Sequence, residues 1–439
     1  RQPLTTYDQS PPDRHDQPRG NQPPQIRTTY GRIMSQPTVA IVLTGAAARG
    51  AFQAGALSRI APALERQGLR PSIYLGTSAG AINAALWGSY AHLPAEVAAE
   101  RVLALWRSMD RKNVYTHPAL SLIRDGLRIL PGSLLGVGNG LDSLLDTRPL
   151  AHTAQESLDT DQIAANVASG AVDAVGVAAT RIPPATGKLP TPGDPMDRWH
   201  ISHTHSVVFL DTTLDASAVA DPDRAVRVAP TTIEAAHVLA SAAIPVAFPA
   251  VEVQSPADYA GWYVDGGVRL NAPLRPAVAL GADHLVVIAA HATRYPARTP
   301  HLPGDKPDLA DSAAMTLHSI LADRVIEDLK ALRTRNRWLS QGVTPTSESG
   351  REYHHVALLE ISPKPGSLAQ LATDVLRSKG RNWWRESDSL ALGRLLRGVG
   401  AGPGQQELLS YTFFDDEYFS AQIELGIAAA DTALAGDWD

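Results

Sequence analysis

The chain has 439 residues, 44% of them hydrophobic and 19% charged, which gives room for a large buried core in one or two domains. Its net charge of −6, with no strongly basic block, argues against a nucleic-acid partner. There is no cysteine, which excludes disulfides, iron–sulfur ligation and thiol catalysis together and fits a reducing cytoplasm.

Residues 1–37 are rich in Pro, Gln, Asp and Arg and poor in apolar side chains. Such a segment cannot bury enough surface to offset its ordering entropy, so it is expected to be disordered, with Met34 a candidate downstream start. It has no apolar core of the kind a secretory signal needs. Order is expected to begin at "TVAIVLTG" (38–45), a β-branched run typical of a parallel strand buried on both faces. In "GAFQAGALSRIAPALERQG" (50–68), Leu57, Ile60, Ala61 and Leu64 recur at helical spacing. "SIYLG" (72–76) reads as a second strand and "AINAALWG" (81–88) as the helix after it. Strand, helix, strand, helix within fifty residues predicts a right-handed parallel α/β unit.

Further strands are expected at 171–182, 206–213, 261–267 and 284–291, with a helix over 230–243 and a Pro/Gly-rich surface loop at 183–198. From about 300 the pattern turns helical, at 311–339 and 415–434, with one strand-like stretch at 352–362. No apolar run reaches the roughly 18 residues of a membrane span. The expectation is a soluble, cytoplasmic protein able to make peripheral membrane contact.

Chemistry is concentrated in three places. The first is "GTSAG" (76–80), a G-x-S-x-G that sets Ser78 at a strand-to-helix hinge, where Gly76, Thr77, Ala79 and Gly80 are small enough for strand and helix to approach closely. The second is "GAAARG", Gly45, Ala46, Ala47, Ala48, Arg49 and Gly50, a small-residue turn that opens a helix. Amides there lack partners and the helix dipole is positive. A phosphate loop would need Lys followed by Ser or Thr after Gly50, and a dinucleotide loop would need glycine at 47; neither is present. An oxyanion hole needs only exposed amides near Ser78. The third is "WYVDGG" (262–267), a strand ending in Asp265, Gly266 and Gly267, at the sheet edge where open α/β sheets keep their chemistry.

In this order the three motifs resemble the patatin-like phospholipases, as do "ASAAIPVAFPAV" (240–251) and "NAPL" (271–274). The resemblance covers about residues 38–295. It implies a three-layer α/β/α domain with a central, mostly parallel sheet, followed by a mainly helical C-terminal extension over 296–439. It also implies a Ser–Asp dyad acting on lipid acyl esters: Ser78 as nucleophile, Asp265 as base, and an oxyanion hole from the 45–50 turn, where Arg49 matches the family's basic position. No cofactor and no metal are implied; the partner is a lipid substrate at a membrane or micelle surface. Ala46 and Ala47 depart from the glycines usual there, and a positive φ at either would be strained.

Two rivals stand beside this reading. One is an α/β-hydrolase triad, whose histidine would follow Asp265 at 284, 291, 301, 318, 354 or 355. The other is a degenerate module that binds lipid without hydrolysis. With an aspartate base, the pH–rate profile is expected to lack the limb near 6.5 that a histidine base imposes, unless burial raises Asp265 enough to mimic it, in which case Asp265 and histidine variants decide. His203 and His205 share a strand face; a solvated strand edge is preferred to metal ligation. "RSKGRNWWRE" (377–386) has a lipid-interface composition, with helix packing through its tryptophans as the alternative.

Overall fold

Val39–Leu43 forms β1, and its alternation shows the architecture. Val39, Ile41 and Leu43 enter one hydrophobic core, while Ala40 and Val42 enter another on the opposite face. A strand buried on both faces requires helices above and below it, which explains the unbroken apolar run. The computed structural model describes residues 37–114, 147–182, 205–245, 247–295, 306–346, 352–379 and 402–439. The expected disordered segment, the 183–198 loop and His203 lie outside these residues.

The elements follow in chain order: α1 (Gly50–Arg66), β2 (Pro71–Thr77), α2 (Ala79–Ser89), α3 (Ala95–Ser108), α4 (Arg111–Val114), α5 (Arg148–Ser157), α6 (Thr160–Ser169), β3 (Ala174–Ile182), β4 (His205–Thr212) and β5 (Val226–Pro230). Next come α7 (Ala235–Ser241), β6 (Val251–Val253), β7 (Gly261–Asp265), α8 (Leu274–Ala279), β8 (His284–Ile288), α9 (Leu309–His318), α10 (Arg324–Ser340), β9 (Ala357–Ile361), α11 (Ser367–Ser378), α12 (Pro403–Thr412) and α13 (Asp416–Leu434). The sheet runs β5-β4-β3-β2-β1-β8-β9, with β7 paired to β3 and β6 to β7. Strands β3, β2, β1, β8 and β9 are mutually parallel; β4 and β7 run antiparallel to β3. Helices α1, α2, α3, α6, α7, α11 and α13 pack on one face, α8 and α10 on the other. This is the expected α/β/α sandwich with a mostly parallel sheet.

Residues 37–439 form one compact unit, and the C-terminal part is built into it. β9 extends the sheet as the parallel neighbour of β8, with Leu359 and Ile361 in one core and Leu358 in the other. α13 lies close against α1. A Cβ added at Gly55 would stand 2.2 Å from the Ile423 carbonyl, and one at Gly426 would stand 2.1 Å from the Phe52 carbonyl. Only glycine allows two helices to approach so closely there.

Two predicted helices are changed by context. The 230–243 helix shortens to α7, because Pro230 ends β5 and a capping box of Glu234 with His237 fixes the helix start at 235. The 311–339 helix divides into α9 and α10 at a π-helical turn, Ser319–Asp323. Asn271 Nδ2 donates to the Leu321 carbonyl in that turn at 2.5 Å, so the freed backbone acceptor is satisfied by a side chain.

Candidate active site

Ser78 stands between the last residue of β2 and the first of α2, with φ 58° and ψ −129°. A serine with positive φ is strained and persists only where its surroundings fix it. The flanking glycines make the hinge possible. A Cβ at Gly76 would lie 2.1 Å from the Gly80 carbonyl, and one at Gly80 would lie 2.4 Å from the Leu43 carbonyl on β1. The amide of Ser78 donates to Ser241 Oγ at 2.9 Å, and that hydroxyl donates to the Ala178 carbonyl at 2.6 Å. Thr77 Oγ1 donates to the Leu270 carbonyl at 2.9 Å, which ties the hinge to the loop after the acid.

Asp265 arrives by a different route. β3 runs past the end of β2, pairing Ala178 with Thr77, and beyond that point β7 takes the vacant side of β3 in the antiparallel sense. Asp265, the last residue of β7, pairs with Ala179 and so comes to rest just past the end of β2, against the serine hinge. Its Oδ1 accepts the Gly267 amide at 2.7 Å, and the carboxyl lies near enough to the Ser78 hydroxyl to feel it. Burial pushes the carboxyl up to about 6; the Ser78 hydroxyl and the Gly267 amide pull it back only in part. Gly266 sits where a Cβ would meet the Ala178 carbonyl at 2.1 Å, which closes the turn onto β3.

The 45–50 turn borders the serine. A Cβ at Gly45 would stand 3.4 Å from the Ser78 Cβ, and Ala46, Ala79 and Ala290 form a small apolar cluster beside it. Ala47 has φ 48°, the left-handed geometry that an L side chain resists by roughly 1–2 kcal/mol. Ala46, at φ −141°, is unstrained. Among the described residues the amide of Ala46 donates to no backbone carbonyl, and the amides of Ala79 and Gly80 are orphans of the first turn of α2. Gly45 is a correction to the expected hole: its amide is already committed to the Asn271 carbonyl at 3.0 Å. Among the described residues, that leaves the amides of Ala46, Ala79 and Gly80 without a backbone acceptor beside Ser78.

A strained serine after the second parallel strand, a buried carboxyl at the end of β7 and a small-residue turn beside the serine occupy the region that a patatin-like phospholipase family model matches, residues 41–278. The chain belongs to the patatin-like phospholipase family. No curated protein matches it. The matched region of the patatin-like domain ends before β8, so the sheet is completed by strands outside it.

Arg49 keeps its place on the patatin-like turn, but its side chain does not serve Ser78. The guanidinium is buried, paired with Glu407 at 2.6 Å, bonded to Ser410 and stacked 3.6 Å above the Tyr411 ring. The loop's basic residue therefore faces the C-terminal helices, because a buried guanidinium needs a carboxylate and the turn has none. Sequence reasoning did not identify Ser241, Asn271, Glu407 or Gln422. Ser241 and Asn271 lie within stretches that resembled the family, whereas nothing local marks Glu407 or Gln422.

Among the described residues no histidine bonds Ser78 or Asp265. His237 bonds the Glu234 amide and the Ser255 carbonyl, His318 bonds the Tyr295 hydroxyl, and His354 bonds the Ala282 carbonyl. His284 stacks edge-on against Trp438. His291 is buried, with neither ring nitrogen bonded, and burial beside Arg49 and His318 lowers it to about 3. It lines a chamber of about 380 Å³ with Arg49, Tyr295, His318 and Glu407; neither Ser78 nor Asp265 borders that chamber. His301 lies outside the described residues. His205 opens β4, and among the described residues no three metal-capable side chains come together. Of the 377–386 stretch, Lys379 pairs with Asp415 at 3.0 Å and the tryptophans lie outside the described residues. No helix among the described residues is long and apolar enough to cross a membrane.

Proposed function

We propose that this chain hydrolyses lipid acyl esters, of phospholipid or lysophospholipid, through Ser78 and Asp265. The carrying observation is geometric: the strained hinge of Ser78 stands at the end of β2, and β7 brings the buried carboxyl of Asp265, raised to about 6, beside that end. A general base works best when its proton affinity lies near the operating pH, and burial brings Asp265 into that range without a histidine. Ser78 Oγ attacks the ester carbonyl while Asp265 takes its proton. Amides of Ala46, Ala47 and Ala79 receive the oxyanion, and Asp265 returns the proton to the departing alcohol. Asp265 then deprotonates a water that attacks the acyl-serine carbonyl, and returns that proton to Ser78 Oγ as the C–Oγ bond breaks and the fatty acid leaves.

A lipid surface as the source of substrate is supported by exposed apolar side chains on the D-G-G turn and on the π turn packed against it: Val268 projects from the first and Ile320 from the second. These would let the protein rest peripherally on a membrane or micelle. The test is hydrolysis of p-nitrophenyl butyrate and labelling by a fluorophosphonate, with a lipid-class screen to name the substrate. Ser78→Ala should abolish both turnover and labelling while circular dichroism is unchanged. Retention of more than a few per cent of turnover would remove Ser78 from the mechanism.

A further inference from the structure

The turn that borders Ser78 consists of one glycine, three alanines, an arginine and a second glycine, so it has almost nothing of its own with which to hold a shape. Yet it holds an unfavourable one, with Ala47 in the left-handed region. Strained backbone persists only where neighbours over-determine it. Asn271 holds Gly45 and Asn83 holds the Gly50 carbonyl, and the remaining neighbours come from the far end of the chain. Arg49 Nε donates to Ser410 Oγ at 3.1 Å, its Nη2 donates to Glu407 Oε1 at 2.6 Å and also reaches Ser410, and its guanidinium lies on the Tyr411 ring. Ser410 is itself anchored, donating to the Glu407 carbonyl at 2.5 Å. From α13, Gln422 Nε2 donates to the Ala48 carbonyl at 2.9 Å, and Gln422 Oε1 accepts the Phe52 amide at 3.3 Å.

We infer that Glu407, Ser410 and Gln422 are positioning residues that clamp the oxyanion turn, so that the C-terminal helices α12 and α13 complete the active site without touching substrate. The inference rests on the turn's role as oxyanion hole, proposed above. Two arms grip the turn independently: an ion pair and hydroxyl on Arg49, and a carboxamide on the backbone either side of Gly50. The groups of these two arms sit more than 350 residues from the turn. Glu407 has a second consequence. By neutralising Arg49 it leaves the oxyanion to backbone amides, whose alignment then sets the rate. Misplacing catalytic groups by about 1 Å can cost roughly a hundredfold in rate.

The experiment compares wild type with Glu407→Ala, Glu407→Gln and Gln422→Met, each assayed below its own Tm. Steady-state hydrolysis of p-nitrophenyl butyrate is measured beside inhibition by an alkyl trifluoromethyl ketone, whose adduct with serine places an oxyanion in the hole. Glu407→Ala and Gln422→Met should lower kcat by roughly tenfold to a hundredfold with KM within twofold. The ketone's Ki should rise in proportion, because both report binding of the transition state rather than of the ester. Glu407→Gln, which still offers Arg49 an acceptor, should recover at least a third of kcat. Gln422→Met leaves the ion pair intact, so it decides the matter should Glu407→Ala fail to fold. Variants that keep kcat within twofold, or lose kcat with the ketone's Ki unchanged, would overturn the clamp. A wild type that neither hydrolyses the ester nor binds the ketone would overturn the hydrolase reading and the clamp with it, whereas an active wild type with active variants overturns the clamp alone.

Discussion

Replacing Asp265 by asparagine should stabilise this protein while destroying its activity. The carboxyl is 6% exposed and lies at about 6 instead of its ordinary 3.8, chiefly through burial. Each tenfold change in proton affinity is worth about 1.4 kcal/mol, so holding the ionised carboxylate in the fold at neutral pH costs about 3 kcal/mol. Asparagine has nearly the same shape, can still accept the Gly267 amide and carries no charge. The direction with pH follows from the raised value. Below 3.8 the acid is neutral in both folded and unfolded chains, and the substitution changes little. As pH rises from 4 through 6 the wild type loses this stability, and above 6 the full difference is present. For a folded unit of about 400 residues, 3 kcal/mol corresponds to a Tm gain of roughly 3–4 °C at pH 8 and almost none below pH 4. Turnover of p-nitrophenyl butyrate should fall about a thousandfold, because an amide cannot take the Ser78 proton. Thermal melts at pH 3.5 and pH 8 beside the esterase assay make the test. An equal Tm gain at both pH values, a lower Tm at pH 8, or turnover within tenfold of wild type would refute the reasoning. The same carboxyl should give wild-type kcat/KM an ascending limb near pH 6. The limb is then the one a burial-raised aspartate shares with a histidine base, and it should move little with temperature, as carboxyl ionisation does.

Three further outcomes follow from the site. Gly80→Ala should eliminate esterase activity and lower stability by roughly 2 kcal/mol or more, because its methyl would drive into the Leu43 carbonyl; a variant with wild-type Tm and kcat would contradict the close approach of α2 to β1. Ala47→Gly should range from neutral to about 1 kcal/mol stabilising in urea melts, since relief of the left-handed strain is partly offset by the greater freedom of the unfolded chain; a loss above 1 kcal/mol would show that Ala47 is not strained. His291→Leu should leave kcat/KM within about threefold, as its ring nitrogens bond neither Ser78 nor Asp265; a thousandfold loss in a folded variant would restore a histidine base.

The sequence alone determined the elements whose signals are local. The β-branched run of β1, the helical spacing of α1, the hinge at Ser78 and the strand ending at Asp265 were all legible, because period, turn chemistry and small-residue spacing are written over a few neighbours. The short β5 and β6 and the helices α3, α5, α6, α11 and α12 were not foreseen, since their boundaries depend on which partner covers them. The tertiary structure decided what had to be assembled across distance. The pairing of β7 with the overrun of β3 carries Asp265 to Ser78, and burial then moves its carboxyl to about 6. The turn at 45–50 could be recognised from its residues, but not that Gly45's amide is spent on Asn271 or that Arg49 turns towards Glu407. A guanidinium's partner is set by where a carboxylate lies in space, and Glu407 lies 358 residues further along the chain.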